Sequence, residues 1–183
     1  MGDSEHKIGW IGAGKMGSPM IQNLLANKVS VCVSDPDPNA VIAVVQKGAR
    51  AAEKLDDMTD ANIVFSTLPN DDVLMMIVGG SAGKKGLIDV LARGAIYVDM
   101  STVSPEISSN VAELLENAGI QYLRAPLSGS TAMAESATLT ILASGPENAW
   151  KTVLPYCEML SARQFHLGIG DEARYMKLVV NTL

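Results

Sequence analysis

The sequence predicts an α/β fold: doubly wound, with a mainly parallel sheet covered by helices on both faces. Three observations lead there. Short apolar runs alternate with longer amphipathic ones along the chain. A glycine-rich turn separates the first apolar run from the first amphipathic one. Of the 183 residues, 48% are hydrophobic and 19% charged, a balance that suits a globular chain with a sizeable core. Aromatic residues make up only 4%, so that core is aliphatic, with ten methionines to fill its gaps.

The elements follow in order. Residues 7–11 read as a first strand and 15–26 as a helix. Residues 30–34 form a second strand, 37–47 a second helix and 49–52 a short third strand. Residues 63–67 are dense in β-branched side chains and read as strand. Residues 71–78 are helical and 95–99 strand. Ser104 is the N-cap of the next helix, Pro105 stands at its first position, Glu106 complements its dipole and Gly119 ends it. Its apolar stripe is Ile107, Val111, Leu114, Leu115 and Ala118. Strands follow at 121–125, 138–143 and 162–166. A helix at 147–160 carries Pro155 as an internal kink or break. From Asp171 onward the pattern is helical again. The stretch Gly79 to Gly83 reads as a surface loop, with Lys84 and Lys85 solvated beside it.

Composition excludes several classes of function. A net charge of −6 argues against nucleic acid or an anionic membrane as the main partner. No apolar run approaches the ~20 residues of a membrane span. Cys32 and Cys157 lie far apart in apolar surroundings and read as buried free thiols, and two histidines without paired cysteines give no zinc spacing. Residues 1–7 are polar and unlike a signal peptide, and His6 stands where a myristoylation signal needs Ser or Thr. The compartment expected is the cytosol.

Gly12-Ala13-Gly14-Lys15-Met16-Gly17 has the G-x-G-x-x-G spacing in the setting that gives it meaning, between a strand and a helix. Gly12 permits the tight turn, Gly14 lets a pyrophosphate approach the backbone, and Gly17 lets the helix pack on the sheet. The helix N-terminus offers N–H groups to the phosphates. Asp35 lies 23 residues after Gly12, at the end of the second strand, where a carboxylate accepts both ribose hydroxyls and repels a 2′-phosphate. Pro36 rather than an Arg follows it, which favours NAD over NADP. The competing reading has Asp35 merely capping the turn with Pro36 and Asp37. The fold expected is thus Rossmann-type.

The run from Ile11 to Met20, followed by Asn23-Leu24, resembles the opening of the β-hydroxyacid dehydrogenases. That family includes 3-hydroxyisobutyrate dehydrogenase, tartronate semialdehyde reductase and the glyoxylate/succinic semialdehyde reductases. Thr67-Leu68-Pro69, Asp99-Met100-Ser101-Thr102 and Ala125 to Ser130 match its later motifs in order, as does Lys177 with Asn181. The resemblance implies that Leu68, Pro69 and Val73 line the dinucleotide and that Thr102 sits near the nicotinamide and the reacting group. It implies that Ser128, Gly129 and Ser130 bind a substrate carboxylate. It makes Lys177 the catalytic acid/base, with Asn181 one turn on along the same face, holding it or the substrate. The chain departs from the pattern at Arg124, where an acid is common. It departs again before Lys177, where Asp171 and Glu172 replace a nearer glycine and would suit a helix N-terminus.

The activity implied is hydride transfer between NAD and a small β-hydroxyacid or its aldehyde or keto acid. The alternatives are an NADPH-dependent aldehyde or imine reductase, and a cofactor-binding regulatory module. The resemblance also implies a Rossmann domain at 1–166 and, at 167–183, the start of an interdomain helix leading to an absent all-helical domain. Through that domain the family forms dimers or tetramers. The 183 residues are then a piece expected to bind NAD but to turn over poorly.

Overall fold

In this computed structural model, residues 7–182 are described; most of the polar N-terminal stretch, residues 1–6, lies outside the described residues. Strands apolar on both faces have nowhere to sit except between two layers of helix. β1 (Ile8–Ile11), β2 (Val31–Ser34), β3 (Arg50–Ala51), β4 (Ile63–Ser66), β5 (Ile96–Asp99) and β6 (Gln121–Arg124) form one six-stranded parallel sheet. Its order is β3-β2-β1-β4-β5-β6. The strand order therefore reverses between β1 and β4, where a crevice opens at the carboxyl ends.

Alternate residues of each strand supply alternate layers of the core. Ile8, Trp10, Ile63, Phe65, Ile96 and Val98 pack on one face with Met20 and Leu24 of α1 (Gly17–Ala26). Ile11, Val64 and Tyr97 face the opposite layer. On the first side α2 (Pro38–Val45) and the later helix at Glu147–Leu160 add to the cover; on the other lies α3 (Asp71–Gly79), with Leu74 and Val78 buried. A short α4 (Leu87–Val90) and the long α5 (Pro105–Ala118) finish that layer. The stop and start signals of α5 act as expected. Ser104 Oγ accepts from Ile107 N–H at 3.2 Å, and Gly119 takes the left-handed conformation that ends it. Both cysteines are free and buried, and burial holds their thiols protonated.

The structure departs from expectation after β6. The strands expected at 138–143 and 162–166 do not extend the main sheet. β7 (Leu127–Ser128), β8 (Leu139–Ala143) and β9 (Ser161–His166) make a separate three-stranded sheet, with β7 antiparallel to β8. Paired N–H···O bonds between Arg124 and Ser144, both 2.9 Å, hinge it onto the end of β6. Between β7 and β8 lies α6 (Thr131–Glu135), and between β8 and β9 lies α7 (Glu147–Leu160). Neither α4, α6, β7 nor a 3-10 turn at Leu55–Met58 is long enough to show a hydrophobic period. Lys85 is exposed as expected but pairs with Asp56 at 2.6 Å. The last helix is α8 (Glu172–Thr182). Among the described residues no helix is long and apolar enough to cross a membrane.

Pro155 neither breaks nor ends α7, which runs through it. The exposed proline offers no N–H to the carbonyl of Lys151, and its ring crowds that carbonyl. Pro155→Ala restores the bond at some cost in unfolded-chain entropy, for an expected net gain of about 1–2 kcal/mol. A urea unfolding curve checks this: the midpoint should rise, and an unchanged one would show that the helix has adapted to the ring.

Candidate functional site

The turn between β1 and α1 is set by backbone approach. Gly12 sits at φ +94°, and a Cβ on it would lie 2.2 Å from the carbonyl oxygen of Thr67. A Cβ on Gly17 would lie 1.9 Å from the carbonyl oxygen of Gly12. That carbonyl is itself pinned, accepting from the buried Trp10 indole at 3.0 Å and from Thr67 Oγ1 at 2.8 Å. Gly14 is different: it is exposed, with nothing within 4 Å of where its Cβ would be. Among the described residues the amides of Gly14, Lys15 and Met16 have no acceptor in the chain. No acidic side chain occupies the first turn of α1. Open space, free N–H groups and an uncompensated helix N-terminus together fit a phosphate.

Asp35 follows β2 as expected, and its carboxylate makes the contacts of the turn-capping reading. Oδ2 accepts from the Ala13 amide at 2.6 Å, and Oδ1 accepts from the Asp37 amide at 2.8 Å. Asp37 in turn caps α2 through the Asn39 amide at 2.9 Å. The carboxylate is therefore fixed against the glycine loop while remaining half-exposed.

The loops after β4 and β5 are held by a buried polar network. Asp99 Oδ1 accepts from Ser66 Oγ (2.9 Å), Ser101 N (3.1 Å) and Ser101 Oγ (2.5 Å). Ser101 Oγ also accepts from the Leu68 amide at 2.8 Å, which joins the two loops. Arg174 of α8 enters this network fully buried. It donates to Asp99 Oδ2 (2.5 Å), the Ser101 carbonyl (2.6 Å), Tyr122 Oη (3.1 Å) and Ser108 Oγ (3.3 Å). Burial opposes the guanidinium charge, but Tyr122 and Asp99 outweigh it and raise the Arg174 pKa. Burial raises the Tyr97 and Tyr122 phenols, so both stay protonated. None of Arg174, Ser66, Tyr122 or Ser108 was singled out from sequence. The available signal was Asp99 itself: an acid ending an apolar strand, when buried, needs a cation or several hydrogen-bond donors, and Arg174 lies among residues near the predicted site.

Thr102 is exposed beyond this network. It shares a cavity of about 690 Å³ with Pro69, the first turn of α3 and Leu178 of α8. Val73 is half-buried in that turn, its amide bonded to the N-cap Asn70 Oδ1 at 3.0 Å. Lys177 precedes Leu178 and is half-buried, and burial lowers its amine below the ordinary lysine value. Asn181 is exposed one turn on; no side-chain hydrogen bond joins it to Lys177 among the described residues. Ser128 is paired into β7, against which α8 packs, so it is no loose turn. Gly129 and Ser130 are exposed, and Ser130 Oγ caps α6 through the Met133 amide at 3.4 Å. A larger cavity, about 820 Å³, lies at the amino ends of β1 to β3, at the opposite edge from these residues.

Comparison with known proteins gives a consistent result. The family model described as the NAD binding domain of 6-phosphogluconate dehydrogenase matches residues 7–168. The 2-(hydroxymethyl)glutarate dehydrogenase of Eubacterium barkeri is 35% identical over 178 residues, 97% of this chain and 58% of that protein. The 3-hydroxyisobutyrate dehydrogenase of Pseudomonas aeruginosa is 32% identical, over 96% of this chain and 58% of that protein. The structure of the Mycobacterium tuberculosis 3-hydroxyisobutyrate dehydrogenase with L-serine superposes with a TM-score of 0.88 at 25% identity, covering 96% of this chain and 59% of that one. The chain thus spans somewhat over half the length of the relatives it matches.

The glycines separate fold from binding. Gly17→Ala should destabilise by about 2–3 kcal/mol, because backbone must move to admit the methyl group. Gly14→Ala should leave stability within about 0.5 kcal/mol yet weaken NAD binding roughly tenfold or more. Thermal unfolding and a fluorescence titration with NAD read the two effects separately; a Gly14→Ala protein with unchanged NAD affinity would exclude phosphate contact there.

Proposed function

Since the chain belongs to the family of the NAD binding domain of 6-phosphogluconate dehydrogenase, we propose that it is the cofactor-binding part of an NAD-dependent oxidoreductase. Its substrate is a small β-hydroxyacid, or the corresponding aldehyde or keto acid, as in 3-hydroxyisobutyrate dehydrogenase. The observation that carries this reading is the placing of the loops: the glycine loop follows β1 and the Pro69 and Thr102 loops follow β4 and β5, all at the carboxyl ends of the parallel strands, and Leu178, the neighbour of Lys177 on α8, lines the cavity that Pro69 and Thr102 share.

Bound NAD supplies a nicotinamide that exchanges hydride with the substrate carbon. The protein's own part is to orient and to manage a proton. Gly12 to Gly17 bind the pyrophosphate, Asp35 the adenosine ribose, and Leu68, Pro69 and Val73 flank the dinucleotide. Ser128, Gly129 and Ser130 offer donors to the substrate carboxylate; Ser130 Oγ accepts from Met133, so its own proton remains available. Thr102 and Asn181 steady the reacting group. In oxidation the neutral Lys177 amine takes the hydroxyl proton; in reduction the ammonium returns it to the developing alkoxide. The burial that lowers Lys177 favours the neutral form needed for the first step.

Asp35, followed by Pro36 instead of an arginine, favours NAD over NADP. It also counts against an NADPH-dependent aldehyde or imine reductase, and Lys177 with Asn181 counts against a purely regulatory module. Assembly as a dimer or tetramer belongs to the same reading, and light scattering on the full-length protein checks it.

Two measurements on the full-length protein decide the matter. NADH formation is followed with 3-hydroxyisobutyrate, 2-(hydroxymethyl)glutarate, L-serine, glycerate and 4-hydroxybutyrate. At least one should be oxidised, with NAD+ preferred over NADP+ by roughly tenfold or more, since a 2′-phosphate beside Asp35 meets like charge. In the second, kcat/KM for oxidation should rise with pH through a midpoint below the ~10.4 of a free lysine and then level off. Lys177→Arg and Lys177→Ala should lose about 10²-fold or more, because neither supplies a neutral amine. Full turnover by Lys177→Ala would end the assignment.

A further inference from the structure

We propose that Arg174 and Asp171 are positioning residues which, with Asp99 and Arg124, form a crossed charge clamp that fixes the rotation of α8 and so the place of Lys177. This rests on the catalytic part proposed for Lys177. The clamp begins in the sheet. Asp99 ends β5 and Arg124 ends β6, and the two are direct partners in the parallel register. Neighbouring strands therefore present a negative and a positive charge side by side, about 4.8 Å apart at the backbone.

Helix α8 answers with the opposite pair. Asp171, just before the helix, accepts from Arg124 Nε at 2.8 Å, and Arg174 donates to Asp99 Oδ2 at 2.5 Å. Three residues apart, Asp171 and Arg174 lie on one side of the first turn. A single ion pair would let the helix swing about the contact. Two pairs of crossed sign do not, because a slide or a roll brings Asp171 toward Asp99 and Arg174 toward Arg124. Ser108 Oγ ties the halves together by donating to Asp171 Oδ1 at 2.8 Å and accepting from Arg174 Nε at 3.3 Å. Ser144 Oγ anchors the same turn, donating to the Gly170 carbonyl (2.8 Å) and accepting from the Ala173 amide (3.2 Å).

Beyond Arg174 the helix changes character. Of the side chains from Tyr175 to Asn181, only Lys177 is not exposed. Lys177 lies about 4.5 Å further along the axis than Arg174. The direction of its amine is therefore inherited from the turn below it.

The test uses Arg174→Lys, Arg174→Met and Asp171→Asn in the full-length protein. Turnover is measured with NAD+ and 3-hydroxyisobutyrate, NAD affinity by fluorescence, and amide hydrogen exchange across residues 175–181. Arg174→Met should lower kcat by about 30-fold or more, since displacement of a catalytic group by an ångström costs on that scale. In Asp171→Asn, which touches neither Ser101 nor the Leu68 loop, KM for NAD+ and NAD affinity should stay within roughly threefold. Exchange in α8 should quicken. Arg174→Lys should recover part of kcat: an ammonium can meet Asp99 but cannot also span Ser101 and Tyr122.

Should Arg174→Met fail to fold, Asp171→Asn decides, since it leaves Arg124 stacked 4.5 Å over the Tyr122 ring. Its expected loss is roughly threefold to tenfold in kcat with quicker exchange in α8. Variants that melt earlier but keep wild-type kcat and exchange would reduce the clamp to mere stability and overturn the proposal. If the wild-type protein oxidises no hydroxyacid, the function proposed above falls; the clamp is then judged on exchange, and unchanged exchange in Arg174→Lys and Asp171→Asn overturns it.

Discussion

An arginine with 1% of its side chain exposed, opposite an aspartate with none, sets the terms for the rest of this molecule. Neither charge survives burial unless the other is present and the remaining hydrogen-bonding positions are filled. The structure meets that demand with surrounding residues drawn from separate elements. Ser66 comes from β4, Ser101 from the loop after β5, Ser108 from α5 and Tyr122 from β6. Among the described residues no buried side-chain nitrogen or oxygen lacks a partner. Replacing such a pair with apolar groups can be neutral, so its presence is weak evidence for stability as such. What it does impose is position: β4, β5, β6, α5 and α8 have to arrive at one point together.

The other end of the crevice is organised by a different kind of constraint. There the contacts are backbone on backbone, Gly17 against Gly12 and Gly12 against Thr67, too close for any side chain. Asp35 then draws the loop toward β2 through the Ala13 amide. A loop fixed by shape and a helix fixed by charge meet through Leu68, whose amide reaches Ser101 and hence the Asp99 network. The two ends are joined, yet each keeps its own geometry.

This division explains what could be read from the sequence. The glycine spacing, Asp35 at the end of β2, the Ser104 cap and the Gly119 stop are local signals, each settled by a few neighbouring residues. Apart from the short α4 and the 3-10 turn at Leu55–Met58, the alternation of strands and helices up to β6 is equally legible. The clamp was not, because Asp99 and Arg174 are 75 positions apart and Arg124 and Asp171 are 47. Arg124 and Asp171 each stood out as a departure from the resembling family; side by side in space, each is the other's reason. The second sheet escaped for a related cause. Strands 139–143 and 161–166 carry ordinary strand patterns, and nothing in them says that β7, two residues long, turns the chain into a new sheet.

Trp10 carries a consequence of its own. The chain has two tryptophans. Trp10 is wholly buried beneath the glycine loop, stacked on Phe65 at 5.3 Å, with its ring N–H on the Gly12 carbonyl. Trp150 lies elsewhere, stacked on His166 at 5.8 Å. The protein thus contains an optical gauge built into the floor of the turn that would hold the phosphates. With Trp150 replaced by phenylalanine, its emission would report the state of that turn without any added label.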